Sequence, residues 1–186
     1  KIVVFLYIDI EKFYNFVFTL KSLTMKRPVV KIVPTIGEKI VELLGLLTVI
    51  CMVIFPYVIY DKLPEIIPTH MNILGEIDGY GNKDSFTLLP FFGLIVYIGI
   101  SILQKYPHAF NYPVEVNEEN YLQLYTLGIK CLRNIKIIVT LTIAYITYHF
   151  ACNAFGIKVS IIPVTFLTLG VFITLIYYII KMSKCK

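Results

Sequence analysis

Four apolar stretches, each close to the length of a bilayer crossing, constrain this chain more than any other feature. A hydrocarbon layer about 30 Å thick needs about 20 apolar residues in a helix. The first stretch runs over residues 40–60, with Glu42 near its start and Pro56 near its end. The second, residues 87–103, is short but entirely uncharged, and the third and fourth cover 137–155 and 159–180. Pro56, Pro90 and Pro163 fall in or beside these stretches. Membrane helices tolerate them where neighbours re-satisfy the freed carbonyls. Composition agrees. The chain is 58% hydrophobic and only 16% charged, whereas soluble domains run about 45–50% and about 25%. A water-soluble globule, a disordered chain and a basic nucleic-acid-binding domain are disfavoured, and no nucleic-acid partner is read.

Lysine and arginine set the direction of the spans. Lys26, Arg27, Lys31 and Lys39 precede the first span. Lys62 and Lys83 lie between spans one and two, among Asp61, Glu65, Glu76, Asp78 and Asp84. Lys105, Lys130, Arg133 and Lys136 lie between spans two and three, Lys158 alone in the next turn, and Lys181, Lys184 and Lys186 in the tail. The rich–poor alternation predicts a multi-pass protein of the cell membrane, N-in and C-in. The net charge of +5 then reflects inner loops facing anionic lipid rather than an anionic macromolecule.

Residues 1–24 read as an N-terminal extension. KIVVFLYI is too short to span, and Phe13, Phe16, Val17 and Leu20 have amphipathic-helix spacing suited to a membrane surface. Met25-Lys26-Arg27-Pro28 reads as the beginning of a cytoplasmic N-terminus. No secretory cleavage pattern is evident. Cys51, Cys131, Cys152 and Cys185 lack metal-site or redox spacing and read as small apolar fillers.

The connection LPEIIPTHMNILGEIDGYGNKDSFTLLP, residues 63–90, carries the candidate site. Pro64 and Pro68 predict an extended start. Asp78-Gly79 and Gly81-Asn82 predict turns with positive φ. The candidate binding residues are His70, Asn72, Asp78, Gly79, Tyr80, Gly81 and Lys83. Three readings compete: side chains satisfying the loop's own backbone, with Asp78 in an Asx-turn; a metal held by His70, Asn72, Glu76 and Asp78; or recognition of an extracellular peptide or protein. A shared His70/His149 site is a further expectation should the loop fold over the bundle.

Past the second span, Tyr106-Pro107 and Tyr112-Pro113 break the chain. Asn117 is a good N-cap, followed by Glu118 and Glu119 where the helix dipole favours acids. Tyr121, Leu122, Tyr125, Ile129 and Leu132 predict an amphipathic cytoplasmic helix lying at the interface before span three. Its alternative use is docking of a cytoplasmic regulator. The spans hold few ionisable groups: Glu42, able to reach the interface, and His149 near Asn153. The span threonines, Thr140, Thr142 and Thr147 among them, are expected to bond their own helix backbone.

The loop string is similar to the hallmark of a bacterial integral-membrane domain family of unknown function. Its pattern is carried here by Leu63, Pro64, Ile67, Pro68, His70, Asn72, Gly75, Asp78, Gly79, Tyr80, Gly81 and Lys83. Met25-Lys26-Arg27-Pro28, Asn111-Tyr112-Pro113-Val114-Glu115-Val116 and Glu118-Glu119-Asn120 resemble further family segments, so the resemblance covers residues 25–150. That domain is shared with immunity proteins of the sporulation-delaying toxin system. The resemblance implies protection from a secreted peptide toxin and capture of a repressor at the membrane. The chain reads as four spans, without the C-terminal half of those larger proteins.

The resulting expectation is an all-α membrane protein. It has four transmembrane helices, a structured extracellular loop and a cytoplasmic amphipathic helix, and needs no cofactor. Its function is accessory, sensing or toxin immunity, in contact with lipid and with an extracellular peptide. The alternatives are a membrane-embedded metal-dependent enzyme using His70, Glu76 and Asp78, and a small-solute transporter.

Overall fold

A computed structural model of the chain describes residues 27–72 and 74–185. The expectations for residues 1–24 lie outside the described residues. Helix α1 (Ile36–Ile59) starts at a capping box. Glu38 N–H donates to Thr35 Oγ1 at 3.3 Å, and Thr35 N–H donates to Glu38 Oε2 at 2.8 Å, so two otherwise orphaned donors are satisfied reciprocally. A 3-10 turn, Tyr60–Lys62, leads to strands β1 (Ile66–Met71) and β2 (Ile77–Asn82). A second 3-10 turn, Lys83–Thr87, feeds α2 (Leu88–Leu103). Then follow α3 (Tyr121–Ala154) and α4 (Ile162–Ser183). All four helices are long and apolar enough to cross a membrane once the adjoining 3-10 turns are counted. By length and composition this is a multi-pass membrane protein.

Three expectations are corrected. The molecule is mostly helical rather than all-α, because the connection between α1 and α2 pairs with itself as an antiparallel hairpin. The expected interfacial helix is not a separate element. It is the first part of α3, whose 34 residues amount to about 51 Å at 1.5 Å per residue, well beyond a 30 Å hydrocarbon layer. Nor is Asn117 the N-cap: the helix starts at Tyr121 after Asn120, with no acid in its first turn, and Asn117 Oδ1 instead accepts from the Glu119 and Asn120 N–H groups at 3.0 and 2.9 Å in the turn before it.

Helix α3 is the hub. It packs against α1, α2, α4 and β1. Three buried clusters mark successive levels. Leu63, Ile67, Phe86 and Ala151 lie at the hairpin end. Val49, Met52, Tyr97 and Ile143 lie in the middle. Leu124, Tyr125, Cys131, Tyr178 and Met182 lie at the opposite end. Close approach at the middle level depends on Gly93. A Cβ there would stand 2.7 Å from Met52 Cε and 3.0 Å from Ile143 Cγ2, the small-residue contact that lets membrane helices gain dispersion energy. Apolar side chains such as Phe166, Phe172 and Ile173 of α4 point outward, as surfaces meeting lipid do. Thr140, Thr142 and Thr147 donate to the carbonyls of Lys136, Ile138 and Ile143 at 2.8, 2.8 and 2.9 Å, as expected.

Candidate functional site

The hairpin is built around Asn72. Its Oδ1 accepts from the Leu74 and Glu76 N–H groups at 2.9 and 3.0 Å, and its Nδ2 donates to Glu76 Oε2 at 2.9 Å. Gly75 completes the turn at φ +82°, a conformation that costs a residue with a Cβ. The expected turns at Asp78-Gly79 and Gly81-Asn82 are therefore corrected: these residues lie within β2, and only Gly75 and Gly156 have positive φ among the described residues. The two glycines serve packing instead. A Cβ on Gly79 would meet His70 Cβ at 2.7 Å, and one on Gly81 would meet Thr69 Cγ2 at 3.0 Å. The cross-strand side chains thus lie over bare backbone.

The register is irregular in a way that shapes the site. Pro68 pairs with Tyr80, His70 with Gly79 and Met71 with Ile77, so Thr69 on β1 and Asp78 on β2 are the extra residues. Such bulges re-aim side chains. Here His70 Nδ1 donates to Asp78 Oδ1 at 2.5 Å. The imidazole is 71% exposed, and Tyr80, paired with Pro68, is 66% exposed. On β1, Ile67 is buried in the bundle, which anchors the hairpin. Lys83 is spoken for: its Nζ bonds Glu65 Oε1 at 2.8 Å and sits over the Tyr60 ring, while Tyr60 Oη donates to Asp84. Among the described residues Asp78 makes no Asx-turn; its carboxylate faces His70.

The metal reading gains nothing from this geometry. Glu76 turns to Asn72, away from the His70–Asp78 pair. Among the described residues, no group of three or more His, Cys, Asp or Glu side chains is gathered as a metal would require. His149 does not join His70 in a common set of partners. It is buried in α3, where Asn153 Nδ2 donates to its carbonyl at 2.9 Å.

A second polar constellation was not foreseen. Lys136 and Arg133, expected in an inner connection, are buried in α3 at 2% and 6% exposure. Lys136 Nζ donates to Glu42 Oε2, Gln104 Oε1 and Ser101 Oγ at 2.6, 2.8 and 3.0 Å. Arg133 Nε donates to Glu42 Oε1 at 2.9 Å, and its Nη1 lies 3.4 Å from Glu38 Oε1. Gln104 Nε2 adds a bond to Glu42 Oε1 at 3.2 Å. Tyr97 offers its ring face 4.6 Å from Lys136 Nζ. Glu42 joins α1 to α3 and to the end of α2. All three Lys136 protons are used, the condition under which a buried charge is tolerable. The sequence signal was Glu42 alone, an acid inside an apolar run with no visible partner.

Residues 47–107 match the model of a domain of unknown function, DUF1648. The match runs from within α1 through the hairpin to the end of α2. The chain is also similar to an uncharacterised protein of Archaeoglobus fulgidus, 27% identical over 78 residues. That similarity covers 38% of this chain and 43% of the relative, so the chain spans less than half the length of the curated relative it matches. No solved structure matches.

Proposed function

We propose that this is a non-enzymatic recognition protein of the cell membrane, N-in and C-in, whose hairpin faces outward and binds an extended peptide segment. Its direction is supported by charge. Arg27, Lys31, Lys39, Lys105, Lys130, Arg133, Lys136, Lys181 and Lys184 lie toward the end opposite the hairpin, against Lys62, Lys83 and Lys158 at the hairpin end. That asymmetry favours the basic end inside.

The observation that carries the reading is an anchored hairpin presenting His70, Asp78 and Tyr80 beside unpaired strand edges. Among the described residues the sheet has two strands only, so a peptide strand can add to β2 by backbone hydrogen bonds. Tyr80 supplies the rigid amphipathic anchor typical of binding hot spots. The resemblance to the domain found in immunity proteins makes a secreted peptide toxin the first occupant to test.

The test is selection of extended peptides against the full chain in nanodiscs, with Tyr80→Ser and His70→Ala as counter-screens. Loss of a hot-spot aromatic costs about 2 kcal/mol or more, so selected peptides should bind Tyr80→Ser roughly 30-fold more weakly. Peptides that bind both variants as well as the parent, or none above background, overturn the reading. Thiol labelling of Asn82→Cys from the same side as Ser183→Cys, in a cysteine-free background, overturns the topology.

A further inference from the structure

Strand β1 packs on α3, which leaves the far edge of β2 open among the described residues. The pairing shows what that edge offers. Lys83 N–H donates to Glu65 O at 3.0 Å. Residues 65 and 83 are therefore a hydrogen-bonded pair, and so, two residues along, are Ile67 and Gly81. Tyr80 opposite Pro68 and Asn82 opposite Ile66 are the pairs between, so their own backbone groups turn to the open edge. In this pairing Pro68, without an N–H, forfeits no ladder bond. Asn82 O already accepts from Ser85 Oγ at 2.7 Å, which leaves Tyr80 N–H, Tyr80 O and Asn82 N–H for an added strand. We propose that this strand is a cationic peptide, its lysine or arginine side chains set against Glu76, Asp78 and Asp84.

Charge gives the sign. The hairpin end carries five acids, Asp61, Glu65, Glu76, Asp78 and Asp84, and three lysines, Lys62, Lys83 and Lys158, a net charge of −2 with His70 counted neutral. Lys83 is taken by Glu65. Glu76, Asp78 and Asp84 are all exposed, and none has a lysine or arginine partner among the described residues. Their partners are Asn72, His70 and Tyr60 in turn. Two of these acids precede Tyr80 along the chain and one follows it, so they bracket the free backbone groups.

The two observations are independent. Open backbone groups call for an extended chain, and the surrounding charge selects among extended chains. A second copy of this protein would bring the same carboxylates to the same edge, and like charges across a strand pair are destabilising. Opposite charges stabilise the pair and steer the encounter, and a cation can also lie over the exposed Tyr80 ring. The inference rests on the hairpin reading and adds to it the charge of the peptide.

The experiment uses the full chain in phosphatidylcholine nanodiscs, with empty nanodiscs as the control. Three pools of random extended peptides are matched except for Lys, Gln or Glu at the same alternate positions. The Lys pool should be retained roughly tenfold better than the Gln pool, with the Glu pool below both. Raising salt from about 0.05 to about 0.5 M should cost the Lys pool roughly fivefold and the Gln pool little, because screening shortens the reach of charge. That series needs no variant. Glu76→Gln/Asp78→Asn/Asp84→Asn removes the charges and keeps acceptors for Asn72, His70 and Tyr60. In it the Lys and Gln pools should bind alike, whereas Tyr80→Ser should weaken every pool. Equal binding of the Lys and Gln pools by the parent is what acids that only guard the edge against self-pairing would give. That result, or a Lys preference that survives both high salt and the triple variant, overturns the cationic strand and leaves the hairpin reading standing. No pool bound above empty nanodiscs overturns both.

Discussion

Replacing Glu42 by leucine tests the polar network most directly. The substitution leaves Lys136 and Arg133 buried without their shared carboxylate. Breaking a buried pair by removing one partner typically costs about 3–5 kcal/mol. Here the lower end applies. Lys136 keeps Ser101 Oγ at 3.0 Å and Gln104 Oε1 at 2.8 Å, Arg133 keeps Glu38, and Glu42 itself is 32% exposed. About 3 kcal/mol corresponds to roughly 6–12 °C in unfolding temperature for a chain of this length. The chain has no Trp, but its four cysteines are free and Cys131, Cys152 and Cys185 are buried, so a thiol-reactive fluorophore reports unfolding in detergent. Adding Lys136→Met should restore most of the loss, since a charge pair exchanged for apolar groups is often neutral. Glu42→Leu melting within a degree of the parent, or a double variant no better than the single one, refutes the reasoning.

Other substitutions probe packing and turn chemistry in the same assay. Gly93→Val crowds Met52 and Ile143 and should cost about 1–3 kcal/mol, whereas Gly93→Ala, met mainly by the flexible end of Met52, should cost less. Gly75→Ala should loosen the hairpin, seen as faster proteolysis there, because φ is +82° and the new methyl would lie 2.6 Å from Ile161 Cβ. Tyr125→Phe should be neutral or stabilising by up to about 1 kcal/mol. Its hydroxyl is a buried side-chain polar atom without a partner among the described residues, though its ring stacks on Tyr112 at 5.8 Å. Burial, with Tyr125 adding to it, also pushes the Tyr112 phenol above its ordinary range, and Tyr112 Oη donates to Pro107 O at 2.8 Å. A clear loss of stability in Tyr125→Phe would show that the hydroxyl has a partner.

Much of the candidate loop was legible, but not its geometry. Asn72, Gly75, His70, Asp78 and Tyr80 stand out by type, and Pro64 with Pro68 announces extended chain. Turn residues occur at both Asn72–Gly75 and Asp78–Asn82, and local preference alone does not choose between them. Strand pairing does: placing the turn at Asn72 lets β1 bury Ile67 and lays Thr69 and His70 over the glycines of β2.

Sequence by itself determined the four spans. Crossing length and hydropathy are local quantities, counted along the chain, and so are the Thr35–Glu38 cap and the asymmetry of basic residues. Tertiary structure alone decided that Arg133 and Lys136 are buried. Their carboxylate partner stands more than 90 positions away in Glu42, and helical periodicity shows which residues share a face without showing which helix that face meets. A charge is satisfied or stranded by distance in space, and only the packing of α1, α2 and α3 sets that distance.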